Sequence, residues 1–156
     1  MILFVADNHY GQHCGRHIND MISDRYPVAF HEDDWSCLEQ SFVDTTELLI
    51  LNMIAGTCNL PLPDSACEAP VREYMHSGRP VLLLHGGSAA FWHWAWWRTL
   101  VGYRWVRSND PDSTNTSWHP KRPYAVRPAN SRHPLIRRLQ PMDLPEDELS
   151  KPALTR

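Results

Sequence analysis

The sequence predicts an α/β protein, an open and mostly parallel sheet packed between helices in three layers. Three observations predict it. Apolar runs at residues 2–6, 48–54 and 81–84, with a shorter one at 28–30, are too continuous for strands with one wet face and suit strands buried on both. Segments of helical spacing or loop composition separate them, and strands alternating with helices imply parallel pairing. The third is the stretch Gly-Arg-Pro-Val-Leu-Leu-Leu-His-Gly-Gly at 78–87. Its strand stops at a polar residue, turns on glycine and enters a helix, the geometry of a nucleophile elbow with His85 at the tip.

Residues 2–6 read as a central strand, and 7–15, polar and holding Gly11 and Gly15, as the loop at its carboxyl end. Ile18, Met21 and Ile22 at i, i+3, i+4 predict one buried face of a helix over 16–26 that Pro27 ends. A short strand at 28–30 leads into an acidic turn, Glu32-Asp33-Asp34. Leu38 and Phe42 at i, i+4 suggest a short helix within 36–46. After the strand at 48–54 and a Gly/Asn/Pro loop, Asp64 or Ser65 can cap a helix reaching Ser77, with Pro70 in its first turns and Gly78 closing it. The elbow strand is followed by a helix over 89–100, ended by Gly102. Residues 107–117 contain no apolar side chain and read as an exposed loop. A short strand is expected at 124–126, and residues 141–156 as a polar, weakly ordered tail behind a single domain of residues 1–140. This number of strands in 156 residues fits a flavodoxin-like sandwich. In such sheets ligands sit beyond the carboxyl ends of the strands, which puts His9, His13 and His85 on one rim.

Composition narrows the classes. A net charge of −3 gives no basic surface for nucleic acid or an anionic membrane. No apolar run approaches the roughly 20 residues of a membrane span, and residues 1–6 are too short for a secretory h-region. The four cysteines form no CxxC pair, so reduced thiols in a cytoplasmic protein are expected. Five of the seven tryptophans lie between Trp92 and Trp105. A segment aromatic all round must be buried or meet a partner, which suggests core, with a homo-oligomer contact as a further expectation.

Several motifs occur in a recognisable order: LLLHGGSAAF at the elbow, W-x-x-L-V-G at 97–102, His119-Pro120, His133-Pro134-Leu135-Ile136 and Asp147-Glu148-Leu149. This set resembles the ThuA-like family, named for trehalose utilisation and related to the class I glutamine amidotransferases. The Gly/His-rich loop from His9 to His17 is also similar. The chain departs from the pattern at Leu83-Leu84, which replaces a glycine-containing lead-in, and at Ser150, where the family has tyrosine. It also ends soon after Glu148, as a shortened member would.

The resemblance implies a flavodoxin-like fold and a sugar or keto-sugar substrate. The amidotransferases place a cysteine at the elbow; this chain has His85, so glutamine hydrolysis is not expected. Histidine serves instead as a general acid or base near neutral pH, and the positive end of a following helix favours neutral imidazole. The resemblance places His133 and Glu148 as a histidine–carboxylate pair assisting His85, and His13, Gly86, Gly87 and His119 as substrate contacts. No cofactor is implied. Two other readings stay open, a non-catalytic binding or assembly module and a metal-dependent hydrolase built on His9, His13 and His17. Their spacing by four suits one helical face, but Gly11 and Gly15 argue against a continuous helix there.

Overall fold

The computed structural model describes residues 1–118, 123–128, 133, 134, 136–144, 153 and 154. Its centre is a four-stranded parallel sheet built from β1 (Ile2–Ala6), β2 (Val28–Glu32), β3 (Leu48–Asn52) and β4 (Val81–Leu83), in the order β2-β1-β3-β4. Ile2 pairs with both Val28 and Leu48, and Leu49 pairs with Val81. The two inner strands are the most apolar, as burial on both faces demands. Leu3 to Ala6 and Leu49 to Leu51 are all buried.

Alternate side chains of these strands feed two cores. Leu3, Val5, Leu49 and Leu51 face α2 (Glu68–His76) and α3 (Ala95–Val101), packing with Val71, Tyr74, Phe91 and Trp97. Phe4, Ala6 and Ile50 face α1 (Cys14–Ile22) through Ile18 and Ile22. The result is the expected three-layer α/β arrangement.

The helices differ from expectation in instructive ways. α1 starts earlier and stops at Ile22, and Met21, expected on its buried face, is 78% exposed. The stripe is narrower than the spacing suggested, because α1 packs mainly through Ile18 and Ile22. Residues 36–46 form no α-helix; only a 3-10 turn at Ser36–Leu38 appears. Local polar bonds compete there: Asp34 Oδ1 accepts from the Ser36 N–H at 2.9 Å, and the Thr45 hydroxyl donates to the Phe42 carbonyl at 3.2 Å. Leu38 and Phe42 still reach the core. Asp64 caps the next segment, accepting from the Ala66 N–H at 2.9 Å, and a 3-10 turn at Ser65–Cys67 leads into α2.

The expected helix over 89–100 is broken. A 3-10 turn runs over His85–Ala89, and α3 begins only at Ala95, after Trp94 in an extended conformation. A continuous helix would spread residues 91, 92, 94 and 97 around its circumference. The break lets Phe91, Trp92, Trp94 and Trp97 all be buried, with Phe91 stacked on Trp94 at 4.4 Å between ring centroids. Most of the tryptophan cluster is thus core of its own chain.

Beyond α3, β5 (Tyr103–Arg104) pairs antiparallel with β8 (Ala153–Leu154), and β6 (Tyr124–Val126) with β7 (Met142–Leu144). β6 matches the strand expected there. β7 and β8 fall within residues 141–156, and the rest of that stretch, apart from Pro141, lies outside the described residues. Arg104 is fully buried and held by Asp110 and Asp112, which folds the polar loop after β5 back on itself.

Candidate functional site

The carboxyl ends of the four sheet strands form one rim, and the chain spends backbone strain there. Seven described non-glycine residues have positive φ: His9, Tyr10 and His13 after β1, Asp33 after β2, Cys58 and Asn59 after β3, and His85 after β4. All seven lie in loops that leave the same edge of the sheet. Each costs on the order of 1 kcal/mol relative to right-handed backbone, and such residues persist only where the surroundings over-determine them.

The β1 loop is what holds them, because it reaches all three neighbouring loops. Asp7 is buried, and its Oδ1 accepts from the His9 N–H at 3.0 Å. Its Oδ2 accepts from the Ile54 N–H at 2.8 Å and lies 3.2 Å from the Thr57 hydroxyl. Asp33 receives Asn8 twice, backbone N–H on Oδ1 at 2.7 Å and side-chain amide on Oδ2 at 2.9 Å. The Tyr10 N–H donates to Cys58 Sγ at 3.2 Å. The His9 ring stands edge-on to the His85 ring, with centroids 4.6 Å apart.

His85 occupies the expected tip. Its φ of 47° places it in the left-handed region directly after the extended Leu84. The two glycines next to it are fixed by packing. A Cβ on Gly86 would lie 2.3 Å from Ile54 Cγ1, and one on Gly87 2.1 Å from the Leu51 carbonyl oxygen. Both are buried, so their absent side chains let the turn press onto β3 and the residues just after it. The chain continues from His85 as a five-residue 3-10 turn, so no α-helix begins there to set its dipole on the ring.

His13 caps the start of α1 in left-handed conformation. Its Nδ1 is 3.0 Å from Glu32 Oε2, which also receives Arg16. His9, His13 and His17 do not share a helix: His9 lies in a 3-10 turn, His13 precedes α1, and His17 lies within it. Among the described residues no group of three or more His, Cys, Asp or Glu is placed to hold a metal ion. All four cysteines are free thiols. Burial pushes the Cys37 thiol up to about 12 and the Cys67 thiol up to about 11.

Of the residues expected from sequence, the structure brings His85, Gly86 and Gly87 to the rim, with His9 against His85 and His13 on the β1–β2 side. His133 is exposed and opens a turn, its carbonyl accepting from the Ile136 and Arg137 N–H groups at 3.1 and 2.9 Å. His119 and Glu148 lie outside the described residues. Sequence reading missed Asp7, Asn8, Asp33, Thr57 and Cys58, and it took Glu32 for a turn residue. Glu32 is the last residue of β2, paired with Ala6. The signal that could have found them was position: each lies within a few places of the carboxyl end of an apolar run.

No family model matches the chain, and no curated protein matches it. A solved structure does, the crystal structure of a protein from Parabacteroides merdae described as ThuA-like, with a TM-score of 0.68 at 17% identity. The match covers 96% of this chain and 61% of that one, so the chain spans about three fifths of its neighbour's length. At this identity the likeness establishes the fold. Among the described residues no helix is long and apolar enough to cross a membrane.

Proposed function

We propose that this is a ThuA-like, cytoplasmic protein of carbohydrate metabolism that acts on a sugar or keto-sugar, with His85 as general acid/base. The observation that carries the reading is the His85–His9 ring contact on the carboxyl rim, where open parallel sheets bind ligands. The fold shared with a protein described as ThuA-like and the ordered motifs of the sequence support the substrate class.

In this reading His85 moves a proton on or off the sugar. Left-handed backbone at the tip presents its ring beyond the strand end, and His9, whose backbone N–H is tied to Asp7, limits the ring's freedom. A proton acceptor held in place in this way contributes about 10²–10⁴-fold to rate. His133 and Glu148 assist, and His13, Gly86, Gly87 and His119 contact the substrate, the two glycines through their backbone. The histidine at the elbow supplies no thioester chemistry, which sets this activity apart from glutamine hydrolysis.

The test is turnover of a panel of keto-sugars by the wild-type protein and by His85→Ala and His133→Ala. Loss of at least about 100-fold in kcat/KM is expected for His85→Ala, with a smaller loss for His133→Ala. Full retention by His85→Ala would overturn the assignment.

A further inference from the structure

We infer that Glu32 is a positioning residue of the rim: its carboxylate fixes His13 in the Nδ1–H tautomer and so turns Nε2 into a hydrogen-bond acceptor for a ligand hydroxyl. The ligand class rests on the function proposed above; the tautomer does not.

An ionised carboxylate only accepts hydrogen bonds. Glu32 Oε2 lies 3.0 Å from His13 Nδ1 and also receives the Arg16 guanidinium, the partner set of an ionised group. The proton between Glu32 and His13 therefore sits on Nδ1, and in neutral imidazole Nε2 is left bare. The ring carrying that nitrogen is 42% exposed, whereas the Glu32 side chain is 6% exposed. The acceptor is thus on the accessible partner and its anchor on the buried one.

The backbone keeps the pair in register. The His13 N–H donates to the Asn8 carbonyl at 2.9 Å, and the His13 carbonyl accepts from the His17 N–H at 3.2 Å. Glu32 is held in the β2–β1 ladder opposite Ala6. Both ends of the bond are tied to the sheet edge that carries His9 and His85.

Stability alone does not account for this carboxylate. Its second oxygen, Oε1, is buried with no hydrogen-bond partner among the described residues, a costly condition for a charged group. Departures of this kind are expected at functional or strained sites, and this one lies on the carboxyl rim of the sheet.

The test is long-range ¹H–¹⁵N NMR of the histidine rings at about pH 8.5, where an ordinary imidazole is neutral, with His13 assigned by its absence in His13→Gln. In the wild-type protein Nδ1 should be protonated and Nε2 bare. Glu32→Leu should shift His13 to the Nε2–H form that free imidazole prefers, while Arg16→Gln should leave the tautomer as it is. A wild-type His13 in the Nε2–H form would overturn the inference, and that measurement needs no variant to fold. An unchanged tautomer in a folded Glu32→Leu would overturn it as well. On any keto-sugar the wild-type protein turns over, Glu32→Leu should raise KM about tenfold, the worth of one hydrogen bond, with the smaller share of the loss in kcat. If no keto-sugar is turned over, the sugar reading fails and the tautomer still decides the role of Glu32.

Discussion

Replacing Asp7 with asparagine should loosen the rim while leaving the sheet's shape alone. Asparagine has the same outline but offers one acceptor oxygen and one amide nitrogen, where aspartate offers two oxygens. Oδ1 now serves the His9 N–H, and Oδ2 serves the Ile54 N–H with the Thr57 hydroxyl beside it. Whichever way the amide turns, one backbone N–H faces another N–H. An orphaned buried donor costs about 1–3 kcal/mol, and the remaining bonds weaken because their acceptor is no longer charged. Together this comes to about 2–4 kcal/mol, a large part of the roughly 5–15 kcal/mol that a domain has. At about 2–4 °C per kcal/mol for a chain of this size, Tm should fall by about 4–16 °C. The Thr57 hydroxyl also lies 2.8 Å from the Ile54 carbonyl, so it can redirect its one hydrogen there. The His9 side chain is partly exposed, so its loop yields more readily than the strand end that carries Ile54. The amide should therefore keep its oxygen toward Ile54, and His9 should be released. Urea unfolding followed by tryptophan fluorescence gives the free energy, and amide hydrogen exchange gives the site. A loss below about 0.5 kcal/mol, or faster exchange at Ile54 than at His9, would refute the reasoning.

Other perturbations probe the elbow, a buried histidine and the thiols. Gly87→Ala puts a methyl 2.1 Å from the Leu51 carbonyl oxygen, and backbone must move; urea denaturation should show a loss of about 3 kcal/mol, against about 1 kcal/mol for Gly11→Ala, where no described residue lies within 4 Å and only the positive φ is strained. Burial lowers the pKa of His93, outweighing the opposing pull of a hydrogen bond with the Pro63 backbone. The unfolded state then binds the extra proton, so stability falls as pH drops through about 6.5; His93→Phe should flatten that part of the pH–stability curve measured by urea unfolding. Iodoacetamide at about pH 8 should label Cys37 and Cys67, with thiols at about 12 and about 11, more slowly than Cys14 and Cys58, because the thiolate is the reactive form. Peptide mass spectrometry reads the order directly.

The strands were legible because a parallel sheet writes its burial into consecutive residues. Residues 2–6 match β1 completely, and the runs at 48–54 and 81–84 overshoot β3 and β4 by only a residue or two. Residues 28–30 undershot β2, since His31 and Glu32 are polar and still pair with Val5 and Ala6. Helix limits were less legible, because tertiary packing and local polar bonds decided them. Met21 fits the period and faces outward, and residues 36–46 have the spacing of a helix but the side chains of a turn. His85 could be placed on the rim from its position after an apolar run. Asp7 and Glu32 could not be given their roles, since each acts on partners brought close only by strand order: Asp7 on the loop after β3, Glu32 on the residue capping α1.

The strand order also governs how the chain assembles. No two strands of the main sheet are joined by a hairpin; Ile2 waits for both Val28 and Leu48, and Leu49 waits for Val81. Each rung closes a loop of dozens of residues before any pairing rewards it. Helices α1 and α2 can flicker locally within microseconds, yet α1 docks only across β1 and β2 and α2 only on the face that β1 and β3 build together. The β1–β3 pairing spans the longest of these loops and should be the slow event, with refolding on the millisecond-to-second scale of non-local topologies. Substitutions at the β1–β3 seam, such as Phe4→Leu or Leu51→Val, should slow refolding, whereas a change on α1, such as Ile18→Val, should mainly speed unfolding.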